Sequence, residues 1–140
     1  SWQSHLPENL DFRRSVGLGL NESELKKNSR LSESVVQDLN LNPRLPFESG
    51  SFDVVTCTVS VEYLIDPLAV FEEVSRVLRN GGYFIVTFSN SWFPTKAIKI
   101  WTELHAWYSN TLCARVVSRI FKPIRSEDCH VRTMTGTIRI

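Results

Sequence analysis

One acidic residue closes an apolar run in SVVQDLNLNPRLPFESGSFDVV, residues 34–55. Asp38 follows Val35 and Val36, and behind it lie Pro43, Pro46 and Gly50 before a second apolar run starts at Phe52. A carboxylate so placed has two uses. It can accept hydrogen bonds from the amino or hydroxyl groups of a small molecule at the edge of a sheet, or from its own backbone as the first residue of a loop. Asn21 poses the same choice after SVGLGL, residues 15–20, since it can serve a ligand or cap a helix. Val59 with Ser60, and Ser89 with Asn90, also follow apolar runs. The three cysteines, Cys57, Cys113 and Cys129, are far apart and odd in number. That argues against a disulfide framework and for a reducing, intracellular compartment, cytoplasm or organelle matrix. Cys57 reads as a small apolar strand side chain. No CxxC or HxxxH spacing points to a metal.

The elements that position these residues follow from pattern. SVGLGL reads as a buried strand, and NESELKKN as a short helix capped by Asn21, with Glu24 in capping-box position. Residues 34–39 read as a second strand, 40–50 as loop, and the β-branched run SFDVVTCTV as a third strand. IDPLAVFEEVSRVLRNGG predicts a helix with Asp66 as cap and Pro67 at its first position. Its apolar stripe is Leu68, Phe71, Val74 and Leu78; Glu72 and Arg76 are spaced to pair, and Asn80 with Gly81 stops it. YFIVTF, residues 83–88, predicts a strand buried on both faces. Helical patterns follow from about Thr95, with Ala97, Ile98, Trp101, Leu104 and Tyr108 on one side, and from Thr111 to Phe121. Residues 122–140 are a polar, poorly patterned tail in which TGTIRI could form a short strand.

Strands alternating with helices imply an α/β fold with a doubly wound, mostly parallel sheet. Ligands of such sheets bind at the carboxyl ends of the strands, where Asn21, Asp38, Val59 and Asn90 fall. With 42% hydrophobic and 22% charged residues in 140, the chain can bury a core. A net charge of +1 gives no electrostatic case for nucleic acid or an anionic membrane, and no apolar run approaches the about 20 residues of a membrane span.

QDLNLNPRLPFESGSFDVVTCTVSVEYLIDPLAVFEEVSRVLRNGGYFIVTFSN resembles the central block of the class I S-adenosylmethionine-dependent methyltransferases, type-11 group. The shared items are an acidic residue after a strand, LPF, SFDVV, a DP-started helix, VLR-x-GG and a closing strand, in that order. SNSWFPTKAIKIW also looks like a methyltransferase-like subgroup in which such a stretch follows the closing strand. The resemblance covers residues 34–90 and more weakly reaches back to residue 15.

The resemblance implies S-adenosylmethionine as cofactor, a small-molecule acceptor and a Rossmann-like fold. In its pattern Asp38 accepts from the adenine amino group, the Leu39 N–H meets a ring nitrogen, Asn21 stands where an acidic residue normally holds the ribose, and Thr58 and Val59 complete the cofactor side. The family's first strand and glycine-rich turn are expected upstream of Ser1. Gly17-Leu18-Gly19 does not replace them, because a third glycine is lacking and the segment lies within a strand. The reading is therefore a partial methyltransferase domain over 1–121, incomplete at the N-terminus, with 122–140 as its tail. Weak or no cofactor binding is expected of this piece alone. Should the acceptor carry a proton, Glu62, Tyr63, Asn90 and His105 are the candidate bases, each with a plain structural alternative. Trp92, Trp101, Trp107 and Tyr108 either roof an acceptor pocket or pack the following helices. A non-catalytic methyltransferase-like module is the alternative function. A nicotinamide-dependent reductase would need a GxGxxG that the chain lacks.

Overall fold

The computed structural model describes residue 6 and residues 9–87, 130–133 and 136–139, the last two segments as backbone. The chain divides into two compact units, residues 1–42 and 43–140. The domain boundary expected at 121/122 lies outside the described residues, as do the helical patterns at 95–121 and the aromatic residues within them.

In the first unit β1 (Val16–Gly19) pairs in parallel with β2 (Glu33–Val36), and α1 (Glu22–Lys27) joins them. The glycines that made SVGLGL an unusual strand have a packing reason. A side chain at Gly17 would collide with Leu31 and press on Leu25, the buried residue of α1. Asn21 caps α1, its Oδ1 accepting from the Ser23 and Glu24 N–H groups at 3.0 and 3.3 Å. Ser15 ties the strand entrances together through Ser32 Oγ at 3.0 Å, and Arg14 pairs with Glu33 at 2.8 Å.

In the second unit β3 (Phe52–Thr58) leads through a 3-10 turn (Val61–Tyr63) to α2 (Pro67–Val77) and then β4 (Leu78–Thr87), which pairs in parallel with β3. Asp66 caps α2 by accepting from the Ala69 N–H at 3.0 Å. The buried face of α2 is Val70, Phe71, Val74 and Val77, so it is turned from the expected stripe, and Leu68 is 38% exposed. Phe71 meets Phe84 of β4 edge to face, ring centroids 4.8 Å apart.

Two further expectations are corrected. Helix α2 ends at Val77, not at the glycines, because Leu78 is already extended and pairs with Phe52. Gly81, at φ 79°, then serves an irregularity inside β4, where the partner of Val54 is Tyr83. There is no room for a side chain at Gly82, whose Cβ would lie 3.0 Å from both the Arg79 and Asp53 carbonyl oxygens. Arg76 pairs not with Glu72 but with Glu73, at 2.6 Å.

Residues 130–139 contain an antiparallel hairpin, β5 (His130–Thr133) with β6 (Gly136–Arg139), within the segment expected to be poorly patterned. The fold class read from the sequence holds: strand and helix alternate, and β1–β2 and β3–β4 are parallel. Each described sheet has two strands.

Candidate functional site

The register of the first unit aligns its two candidate residues. Gly19 lies opposite Val36, and Asn21 and Asp38 each follow two residues later, at the carboxyl end of the pair. They meet different fates. Asn21 Oδ1 accepts from two backbone N–H groups and from Ser23 Oγ at 2.8 Å, so its acceptor capacity is spent on the cap. Its amide nitrogen faces Glu24 Oε1 at 3.5 Å and is its remaining resource for a ligand.

Asp38 starts a turn. Its carbonyl accepts from the Leu41 and Asn42 N–H groups at 3.2 and 2.9 Å, and Oδ1 accepts from the Asn40 N–H at 2.9 Å. This is the loop-starting role considered from sequence, and it uses one carboxylate oxygen. Among the described residues Oδ2 has no hydrogen-bond partner, nor does the N–H of Leu39. Both residues are half-buried. A free acceptor therefore sits beside a free donor, on a carboxylate already oriented by its own backbone.

Thr58 and Val59 end β3 in the second unit. The Val59 N–H donates to the Thr87 carbonyl at 2.8 Å, and the Thr58 carbonyl accepts from Ser60 Oγ at 2.8 Å. What the two residues still offer is the Thr58 hydroxyl and the Val59 carbonyl. Val59 stands at φ 46°, a left-handed conformation that a β-branched residue seldom adopts. Ser89, Asn90 and His105 lie outside the described residues.

Two features of the structure were not readable from the sequence. Glu62, a candidate base there, is fully buried. Its only sequence signal is its place between Val61 and Leu64, both buried. Burial pushes its carboxyl above the ordinary carboxylate value; its own backbone N–H opposes this less, without the geometry of a hydrogen bond. Burial, and then the charge of Glu62, push the Cys57 thiol up to about 12, so Cys57 is an inert thiol at neutral pH. The second feature is the clamp on residues 45–50. Arg76 donates to the Leu45 and Phe47 carbonyls at 2.9 and 2.8 Å, and Glu73 accepts from the Leu45 N–H at 2.9 Å. The Arg76 guanidinium in turn holds the Glu73 carboxyl below its ordinary value.

Among the described residues no group of three or more His, Cys, Asp or Glu could hold a metal, and no helix is long and apolar enough to cross a membrane.

The chain is 27% identical over 82 residues to a ubiquinone/menaquinone biosynthesis C-methyltransferase UbiE of Geobacter sp. (strain M21), covering 59% of this chain and 33% of the relative. It is 37% identical over 73 residues to a demethylmenaquinone methyltransferase of Lactococcus lactis, covering 52% of this chain and 28% of that one. The chain thus spans a third or less of these relatives' length. In fold it resembles a crystallised SAM-dependent methyltransferase from Aquifex aeolicus, with TM-score 0.59 and 12% identity over 89% of this chain and 65% of the other. The family profile described as a methyltransferase domain matches residues 3–86, which take in β1, β2, β3, all but the last residue of β4, and Asn21, Asp38, Leu39, Thr58 and Val59. By that match the chain belongs to the methyltransferase-domain family, of the class I S-adenosylmethionine-dependent type.

Proposed function

We propose that the chain supplies the adenine-facing part of an S-adenosylmethionine-dependent methyltransferase whose acceptor is a small quinone-type molecule. The observation that carries the cofactor half is the pair formed by Asp38 Oδ2 and the N–H of the next residue, Leu39, both without partners among the described residues. An adenine edge offers an amino donor beside a ring-nitrogen acceptor, the complement of that pair. Asn21 has an amide hydrogen left for a ribose oxygen. When bound, the cofactor supplies an electrophilic methyl group; the work left to the chain is to hold, orient and exclude water. For the acceptor, the support is that two relatives are named for methyl transfer in quinone biosynthesis.

Isothermal titration of S-adenosylmethionine into the protein at its natural length tests the cofactor half. Asp38→Ala should weaken binding about tenfold or more while the fold, followed by circular dichroism, is kept. An unchanged Kd would remove Asp38 from the site. The cap on Asn21 favours one second reading, a non-catalytic methyltransferase-like module, and a wild-type protein that binds no cofactor would support it.

A further inference from the structure

Between β3 and α2 one short turn holds two unfavourable features. Val59 has a left-handed φ of 46°, which strains a β-branched residue. Glu62 is 0% exposed, and neither Oε1 nor Oε2 has a hydrogen-bond partner. A carboxyl buried that way gives up water without gaining a protein donor; the cost is moderate while it is neutral and far larger once it is charged. What keeps the turn shut is modest by comparison. Val61 and Leu64 are buried, and the Tyr63 and Leu64 N–H groups donate to the Ser60 and Val61 carbonyls, each at 3.2 Å. Ser60 does not cap the turn, because its hydroxyl donates back to the Thr58 carbonyl at 2.8 Å. The two flanks are firmer. The Val59 N–H donates to the Thr87 carbonyl at 2.8 Å, and Asp66 accepts from the Ala69 N–H at 3.0 Å.

Among the described residues no cation offsets a charge on Glu62. Burial raises its pKa, and only its own backbone N–H opposes that. The charged groups of the adjoining elements are engaged elsewhere: Glu73 and Arg76 of α2 with each other and with Leu45, Arg79 of β4 with Asp53 of β3. Glu72 and Tyr83 are exposed, and Tyr63, on the turn itself, is half-buried. Cys57 of β3 is coupled to Glu62 and stays a neutral thiol.

We infer that the turn from Val59 to Leu64 is a pH-sensitive latch, closed while Glu62 carries its proton and released when that carboxyl ionises. On release the proton passes to water, the carboxylate becomes hydrated, the two 3.2 Å bonds are lost and Val59 returns to extended backbone. The firm flanks confine the change to the turn and leave the pairing of β3 with β4 in place. In the ordinary carboxylate range and below, open and closed forms both bind the proton, and closure has its full stability. Above that range the open form gives the proton up first, and closure weakens as pH rises towards the folded pKa of Glu62. The latch sits at the carboxyl end of β3, the side on which parallel sheets hold ligands, so pH governs the order of that edge. No ligand has to reach Glu62, and the inference is independent of the methyl-transfer reading.

Amide exchange resolved by residue, with protection corrected for the intrinsic rate at each pH, reads the latch without any ligand. Protection at Tyr63 and Leu64 should fall by up to about tenfold per pH unit above the ordinary carboxylate range, while Val55 and Phe84 keep theirs. Glu62→Gln keeps the shape of the acid and has no proton to lose, so its turn protection should not vary with pH. The wild type minus Glu62→Gln infrared difference should show a protonated-carboxyl band at acid pH that vanishes as the turn opens. Val59→Gly, which takes a left-handed φ without strain, should raise protection at Tyr63 and Leu64 about fivefold. The latch is overturned by a missing band, by wild-type turn protection that is constant with pH, by an equal fall at Val55 and Phe84, or by a fall that persists in Glu62→Gln. Unchanged protection in Val59→Gly overturns the part given to Val59.

Discussion

At the scale of single residues, the burial of Glu62 has a consequence for stability. Its folded pKa lies above the ordinary value of 4.5 because burial disfavours the charged form. Between that value and the folded pKa, the native state keeps a proton that the unfolded chain has released. Stability contributed this way is complete below the ordinary value and is lost as pH rises through the folded pKa, with a slope of at most about 1.4 kcal/mol per pH unit. Glu62→Gln should remove that slope and make the protein relatively more stable above the window. Urea midpoints at several pH values check it, and parallel pH curves for wild type and variant would refute it. None of this was legible from the letters VEY, because burial of one side chain in a short turn depends on Val61, Leu64 and the strand beneath. Asp38 was more legible. Its position after β2 fixed both readings, and the structure gives the turn one oxygen while leaving the other without a bond.

At the scale of elements, caps and strands were readable because they depend on neighbours in sequence. Asp66 and Pro67 start α2 as local chemistry requires, and Asp66→Ala should cost about 1 kcal/mol by urea unfolding. The end of α2 was not readable. Asn80 and Gly81 carry the signature of a helix stop, yet pairing of Leu78 with Phe52 draws the chain into β4 first, and the glycine serves the irregularity there. Tertiary partners likewise decided the ion pair. Glu72 has the right spacing, but Glu73 is the residue that also accepts the Leu45 N–H, so Arg76 joins it and both grip the loop. The LPF stretch is thus held down by α2. Arg76→Ala should speed amide exchange at Leu45 and Gly50 by on the order of tenfold. Lysine should not restore protection, since one ammonium cannot reproduce the planar fork that reaches Leu45, Phe47 and Glu73 together. Unchanged exchange in Arg76→Ala would show that the clamp is incidental.

At the scale of the whole molecule, the two parallel pairs differ in how much they bury. The second unit has Leu45, Val61, Leu64, Val70, Phe71, Val74 and Val77 as its buried apolar residues, whereas among the described residues of the first unit only Leu25 is of that kind. The first unit also leaves Leu20, Val36 and Leu41 exposed. A two-stranded sheet is marginal in water unless a helix or further strands cover it, and α1, with six residues, covers little. The 140-residue chain should therefore open in two steps. Amides of Leu18, Gly19 and Val35 should exchange with solvent before those of Val55, Cys57 and Phe84, whose strands are backed by Phe71 of α2. Hydrogen exchange followed residue by residue measures this. Equal protection would mean that the units unfold as one, and the burial difference would then carry no energetic weight.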